Sequence, residues 1–131
     1  MADQPLILIV DDELSFLEIF RAKLSEAGFR VETASSGREG IEKAKTLKPS
    51  LILLDVKMPE ISGADVLLKI KEDPAIKDID VVFLTNFGDP RAEIAETQDV
   101  EVKFSKESGA KGYLRKTDDL DLIVAQVKSF L

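Results

Sequence analysis

Two adjacent aspartates, Asp11 and Asp12, stand where the first apolar run of the chain ends, and a third, Asp55, closes the run Leu51-Ile52-Leu53-Leu54. Thr85 follows Val81-Val82-Phe83-Leu84, and Lys116 lies just past Gly112-Tyr113-Leu114. Taken singly, each is ordinary. Acidic residues at strand ends often cap helices or sit in turns, a strand-end threonine is usually only a hydroxyl, and a lone lysine is usually solvated. The conjunction carries the information, because four apolar runs end in two acids, one acid, one hydroxyl and one base. In a parallel sheet, ligands collect outside the carboxyl ends of the strands. If the first and third strands are neighbours, three carboxylates converge there, and unscreened they would raise one another's pKa values. A hard cation is the natural compensation, and Mg²⁺ favours one or two carboxylates, several waters and a phosphate oxygen.

What the chain lacks narrows the chemistry further. It has no cysteine, hence no disulfide framework, thiolate nucleophile or zinc–thiolate site. It has no histidine, which removes Ser-His catalysis and imidazole ligands. Any metal must then be held by oxygen, which points to Mg²⁺, Mn²⁺ or Ca²⁺. A formal net charge of −7 argues against direct binding to nucleic acid. No apolar run approaches the roughly 20 residues of a membrane span, and neither a basic leader nor a long apolar stretch marks a signal peptide. The expectation is a cytoplasmic protein without membrane contact, folded as one domain over residues 1–131, with no room left for an output domain.

The elements that must position these groups alternate along the chain. Leu6–Val10 is a continuous apolar run of strand length, the pattern of a strand buried on both faces. Leu14, Leu17, Phe20 and Leu24 recur at helical spacing, with Gly28 as the stop. Arg30 to Ala34 reads as a second strand, and Ile41, Ala44 and Leu47 mark a helix that ends before Pro49. The strand ending at Asp55 precedes a helix beginning near Gly63, with Val66, Leu67 and Ile70 on its apolar stripe. After the strand ending at Thr85, Asp89-Pro90 reads as an N-cap with proline at the first helical position. A short fifth strand over Gly112-Tyr113-Leu114 leads to a last stripe of Leu120, Ile123, Val127 and Phe130. Five β-α alternations imply an α/β fold, a parallel sheet with helices on both faces. Around the fourth predicted helix the periodicity changes. Residues 93–98 read as helix, but Val100, Val102 and Phe104 alternate with polar residues, so an irregular or extended region is expected over 98–108.

Four segments together resemble the receiver domains of two-component signalling: Ile9-Val10-Asp11-Asp12; Leu54-Asp55-Val56-Lys57-Met58-Pro59 with Gly63 following; Leu84-Thr85; and the stretch from Gly109 through Tyr113 to Lys116. The resemblance spans the chain and is most specific around Asp55. It implies a flavodoxin-like fold with a five-stranded parallel sheet in the order 2-1-3-4-5. It implies that Asp55 is the phosphoacceptor, and that Asp11, Asp12, the Asp55 carboxylate and the main-chain carbonyl of Lys57 hold Mg²⁺, with Mn²⁺ able to substitute. Thr85 and Lys116 would contact the phosphoryl oxygens, and Thr85 and Tyr113 would form the switch. The implied role is that of a phosphoprotein in a phosphorelay, not a turnover enzyme, and the implied partners are a sensor histidine kinase or a histidine phosphotransfer protein upstream and an unnamed target protein downstream.

The residues suit that chemistry on their own terms. A carboxylate can act as the nucleophile and become an acyl phosphate. Phosphoryl transfer then needs mainly positioning and charge neutralisation. Lacking histidine, the chain needs a separate phosphohistidine donor or a small acyl phosphate.

Three departures from the family pattern stand out. Thr117 follows Lys116 where the family usually carries proline after a cis bond, and cis before a non-proline costs roughly 2.5–4 kcal/mol. Asn86 replaces a small residue and, with Phe87 and Lys57, would slow self-dephosphorylation by shielding the phosphoryl group. The interval from Thr85 to Lys116 is 31 residues, longer than is usual, and reads as a surface insertion or an altered docking surface. The alternative function is an unphosphorylated pseudo-receiver serving as an interaction module, which predicts a missing acid, threonine or lysine. A flavodoxin-like cofactor binder would need a phosphate-cradling loop where Asp11-Asp12-Glu13 stand, and an aspartate-nucleophile hydrolase an acid where Lys57 stands.

Overall fold

A computed structural model describes residues 4–85 and 110–131. Five strands and four helices are described in these parts of the chain: β1 (Leu6–Val10), α1 (Leu14–Glu26), β2 (Arg30–Ala34), α2 (Gly37–Leu47), β3 (Leu51–Asp55), α3 (Gly63–Glu72), β4 (Asp80–Thr85), β5 (Ala110–Arg115) and α4 (Leu120–Ser129). All pairings are parallel, and the strand order is β2-β1-β3-β4-β5. This is the fold class expected from the sequence. The predicted helix from Pro90, the irregular region over 98–108, and Asn86 and Phe87 lie outside the described residues.

The continuous apolar runs are buried on both faces because helices cover both faces. Side chains alternate along a strand, so each strand feeds two separate cores. Leu8, Val10, Ile52, Leu54 and Phe83 pack with Ala44 of α2 and Val66, Leu67 and Ile70 of α3. Ile7, Ile9, Leu51, Leu53 and Leu84 pack on the other side with Leu17, Phe20 and Leu24 of α1 and Ile123 and Val127 of α4.

Helix ends follow local chemistry. Ser36 Oγ accepts from Glu39 N at 3.1 Å while Glu39 Oε1 accepts from Ser35 N at 2.8 Å, a reciprocal cap at the start of α2. Ser62 Oγ accepts from Asp65 N at 3.2 Å at the start of α3, and Asp119 Oδ1 from Asp121 N at 2.8 Å at the start of α4. Gly28 follows the end of α1 at a φ of 102°, a left-handed conformation that favours glycine. The fifth strand is longer than the apolar triplet suggests. It runs from Ala110 to Arg115, with an irregularity where Val81 and Val82 meet it. No cis peptide bond occurs among the described residues, so Thr117 follows Lys116 through a trans bond.

Candidate functional site

The strand register brings the acids together. Val10 pairs with Leu54 across β1 and β3, which places Asp11 beside Asp55 at the carboxyl edge of the sheet. By alternation Asp11 follows Ile7 and Ile9, and Asp55 follows Leu51 and Leu53, so both lie toward the face covered by α1 and α4. Backbone hydrogen bonds hold this edge. Asp11 N donates to Ala34 O at 3.0 Å, Val56 N to Leu84 O at 3.1 Å, and Lys116 N to Thr85 O at 2.8 Å.

Asp11, Asp55 and Thr85 are buried, whereas Asp12 is exposed. One carboxylate oxygen from each of Asp11, Asp12 and Asp55 lies within 4.8 Å of the others. Gathered this closely, the three carboxylates are a group that could hold one hard cation between them. The donor set is all oxygen, as a hard cation requires.

Lys116 enters the same pocket with a side chain only 4% exposed. Its Nζ stands 2.7 Å from Asp11 Oδ2, 2.5 Å from Glu13 Oε1 and 3.8 Å from Asp55 Oδ1. Burial pulls the Lys116 pKa down. Hydrogen bonds to Asp11 and Glu13 and the charges of Asp55 and Asp11 outweigh it, and the pKa is raised above 10.5. For Asp11 the balance goes the other way. Burial dominates over the hydrogen bonds from Lys116 and Glu13 N–H, and its pKa is raised above 3.8.

Lys57 is exposed on the loop just after Asp55. That loop is folded back on the strand: Gly63 N donates to Val56 O at 2.8 Å. A Cβ on Gly63 would lie 2.1 Å from Asp55 O, so this position admits only glycine without a shift of the backbone. Tyr113 pairs in register with Phe83 and is 42% exposed. Since Thr85 is two residues past Phe83 on β4, Thr85 and Tyr113 belong by alternation to one face of the sheet.

Two residues of the site were not singled out by the sequence. In the sequence Glu13 is only the third acid after the first strand, and Phe16 falls outside the apolar stripe of Leu14, Leu17, Phe20 and Leu24. Phe16 holds its ring centroid 4.6 Å from Lys116 Nζ and stacks on Phe20 at 4.8 Å. Only the adjacency of Glu13 to the acid pair hinted at a role, since its partner is 103 residues away.

Comparison with known proteins gives a consistent result. A family model described as the response regulator receiver domain matches residues 7–128. The DNA-binding dual master transcriptional regulator RpaA of Synechocystis sp. is 34% identical over 97% of this chain, which spans 49% of that protein. The polar-differentiation response regulator DivK of Brucella ovis is 26% identical, with 95% of this chain and 94% of that protein covered. The chain thus spans about half of RpaA but nearly all of DivK. Among solved structures, the chemotaxis protein CheY4 of Vibrio cholerae superposes with a TM-score of 0.83 at 27% identity, covering 98% of this chain and 100% of that one.

Proposed function

The chain belongs to the family of response regulator receiver domains, and on that premise we propose that it is a phosphoacceptor whose Asp55 takes a phosphoryl group from a phosphohistidine on a partner protein. The observation that carries this reading is the convergence of the Asp11, Asp12 and Asp55 carboxylates with the Lys116 ammonium at one sheet edge. An Asp55 carboxylate oxygen attacks phosphorus, a P–O bond forms, and the P–N bond to the donor imidazole breaks. The leaving nitrogen keeps the electron pair. Asp11 and Asp12, with Asp55 and the Lys57 carbonyl, are the groups that would hold Mg²⁺, or Mn²⁺ in its place. The bound ion supplies positive charge against the carboxylates and the phosphoryl oxygens. Lys116 supplies a second positive charge, and Thr85 a hydroxyl donor to a phosphoryl oxygen.

The chain acts as a signalling phosphoprotein and not as a turnover enzyme. Its donor is a sensor histidine kinase or a histidine phosphotransfer protein, the class of partner with which receiver domains work. Its output is a change in the surface offered to a target protein. Two features support a route from Asp55 to that surface: Thr85 is buried beside the acceptor strand, and Tyr113 lies half-exposed on the same face of the next strand. The phosphoryl group draws Thr85 toward Asp55, and Tyr113 turns into the space released.

Intact mass after incubation with acetyl phosphate and Mg²⁺ tests the acceptor. The wild type should gain one phosphoryl group and an Asp55→Asn variant none. A gain in both would place the modification elsewhere. A wild type that takes nothing from acetyl phosphate or from a histidine kinase would favour an interaction module that works unphosphorylated.

A further inference from the structure

Glu13 holds the N-cap position of α1, where a short polar side chain ordinarily accepts a hydrogen bond from the first helical turn. It makes no such bond. Its carboxylate is turned to Lys116 Nζ at 2.5 Å, and its backbone N–H donates to Asp11 Oδ1 at 2.9 Å. One residue therefore orients an acid of the site through its main chain and grips the ammonium of the site through its side chain. Phe16 places its ring against the same ammonium from the first turn of the helix. A helix start that forgoes its cap for a contact with a site group breaks a local rule, and such breaks collect where function demands them.

Three carboxylates compete for this ammonium, and the acceptor is the loser: the distances are 2.5 Å to Glu13, 2.7 Å to Asp11 and 3.8 Å to Asp55. We propose that Glu13 is a positioning residue that holds Lys116 on the Asp11 side of the site, so that the lysine must part from Glu13 to meet a phosphoryl group on Asp55. The inference rests on the reading of Asp55 as acceptor. Glu13 is 57% exposed, so its grip is screened by water and modest in strength. It sets a brake of a few-fold, not a block.

The test pairs a spectroscopic signature with a rate. Glu13→Ala removes the carboxylate, and Glu13→Asp keeps the charge but is one methylene too short to make the same contact. Neither variant loses a helix cap, because Glu13 provides none. In metal-free protein the ¹⁵N ammonium resonance of Lys116, assigned by its loss in Lys116→Met, should shift in both variants. Phosphorylation of Asp55 by acetyl phosphate at saturating Mg²⁺ should be faster in both by about two- to fivefold. An unchanged ammonium resonance in Glu13→Ala overturns the proposal, as does a shifted resonance with a rate equal to or below that of the wild type. Wild-type behaviour of Glu13→Asp would also overturn it, by showing that charge alone matters and contact does not. Failure of the wild type to take up any phosphoryl group would count against the acceptor reading instead, and the metal-free resonance would still decide whether Glu13 holds Lys116.

Discussion

Asp11 and Lys116 share an ion pair, yet their pKa values do not move as a simple pair would. Both rise, Lys116 because it has three acidic neighbours and Asp11 because it is fully buried beside other acids. A group whose folded pKa lies above its unfolded value contributes stability that is present below the unfolded pKa and lost as pH rises through the folded one. For Lys116 that loss begins only above pH 10.5, so it plays no part near neutrality. For Asp11 the loss occurs above pH 3.8, and at neutral pH the ionised carboxylate works against the fold. Metal-free Asp11→Asn should therefore be more stable than the wild type at pH 7 in urea titrations. The gap should narrow as pH falls and wild-type Asp11 takes up its proton. Equal or lower stability of the variant at pH 7 would mean that the contact with Lys116 outweighs the burial of the charge. Burial of the Asp11 carboxylate beside Glu13 and Asp55 thus leaves a site at which added positive charge would be favourable, as the proposed function requires.

At the level of elements, the most exacting junction is the one between β3 and α3. Gly63 was legible in the sequence as a helix start and as part of the segment around Asp55. That it presses against the Asp55 carbonyl was not, because the contact depends on how the intervening loop folds back. Gly63→Ala would set a Cβ at 2.1 Å from Asp55 O and at 3.0 Å from Val56 Cα, both backbone atoms that cannot swing aside. The expected cost is about 2–3 kcal/mol by urea unfolding, with slower phosphorylation of Asp55 because its strand end is displaced. Gly28→Ala is the control. No atom lies within 4 Å of its added Cβ, and only the positive φ is penalised, at about 1 kcal/mol. Equal losses in the two variants would show that the β3–α3 junction yields freely. The strands themselves were easier to read, since apolar runs such as Leu51-Ile52-Leu53-Leu54 can be buried on both faces only in a covered sheet. The fifth strand was underestimated because Ala110 and Arg115 are strand residues through pairing with β4, which their own side chains do not advertise. The pair of Glu13 and Lys116 was invisible for the same reason: two loops from opposite ends of the chain meet only when the sheet order brings them together.

Across the whole molecule, the sheet separates two sets of side chains. Asp11, Asp55 and Lys116 gather toward the face of α1 and α4, while Thr85 and Tyr113 share the opposite face by strand alternation. On the proposed reading, a signal that begins at Asp55 passes through the edge of the sheet, with β4 as the element that joins the two faces. Leu84 pairs with Asp55, and Thr85, the next residue, pairs with Arg115 two residues after Tyr113. The chain has a single tyrosine and no tryptophan, so its intrinsic emission reports on Tyr113 alone. At 42% exposure the ring is open to a small quencher such as acrylamide. Phosphorylation should reduce that quenching as the ring turns inward. Thr85→Ala should abolish the reduction while Asp55 still gains its phosphoryl group by mass, because the variant keeps Asp11, Asp12, Asp55 and Lys116 and loses the hydroxyl and methyl of residue 85. Quenching that is the same before and after phosphorylation of the wild type would break the link between Asp55 and Tyr113. A reduction that survives in Thr85→Ala would leave the link intact but route it through the β4 backbone, where Lys116 N is already bonded to Thr85 O at 2.8 Å.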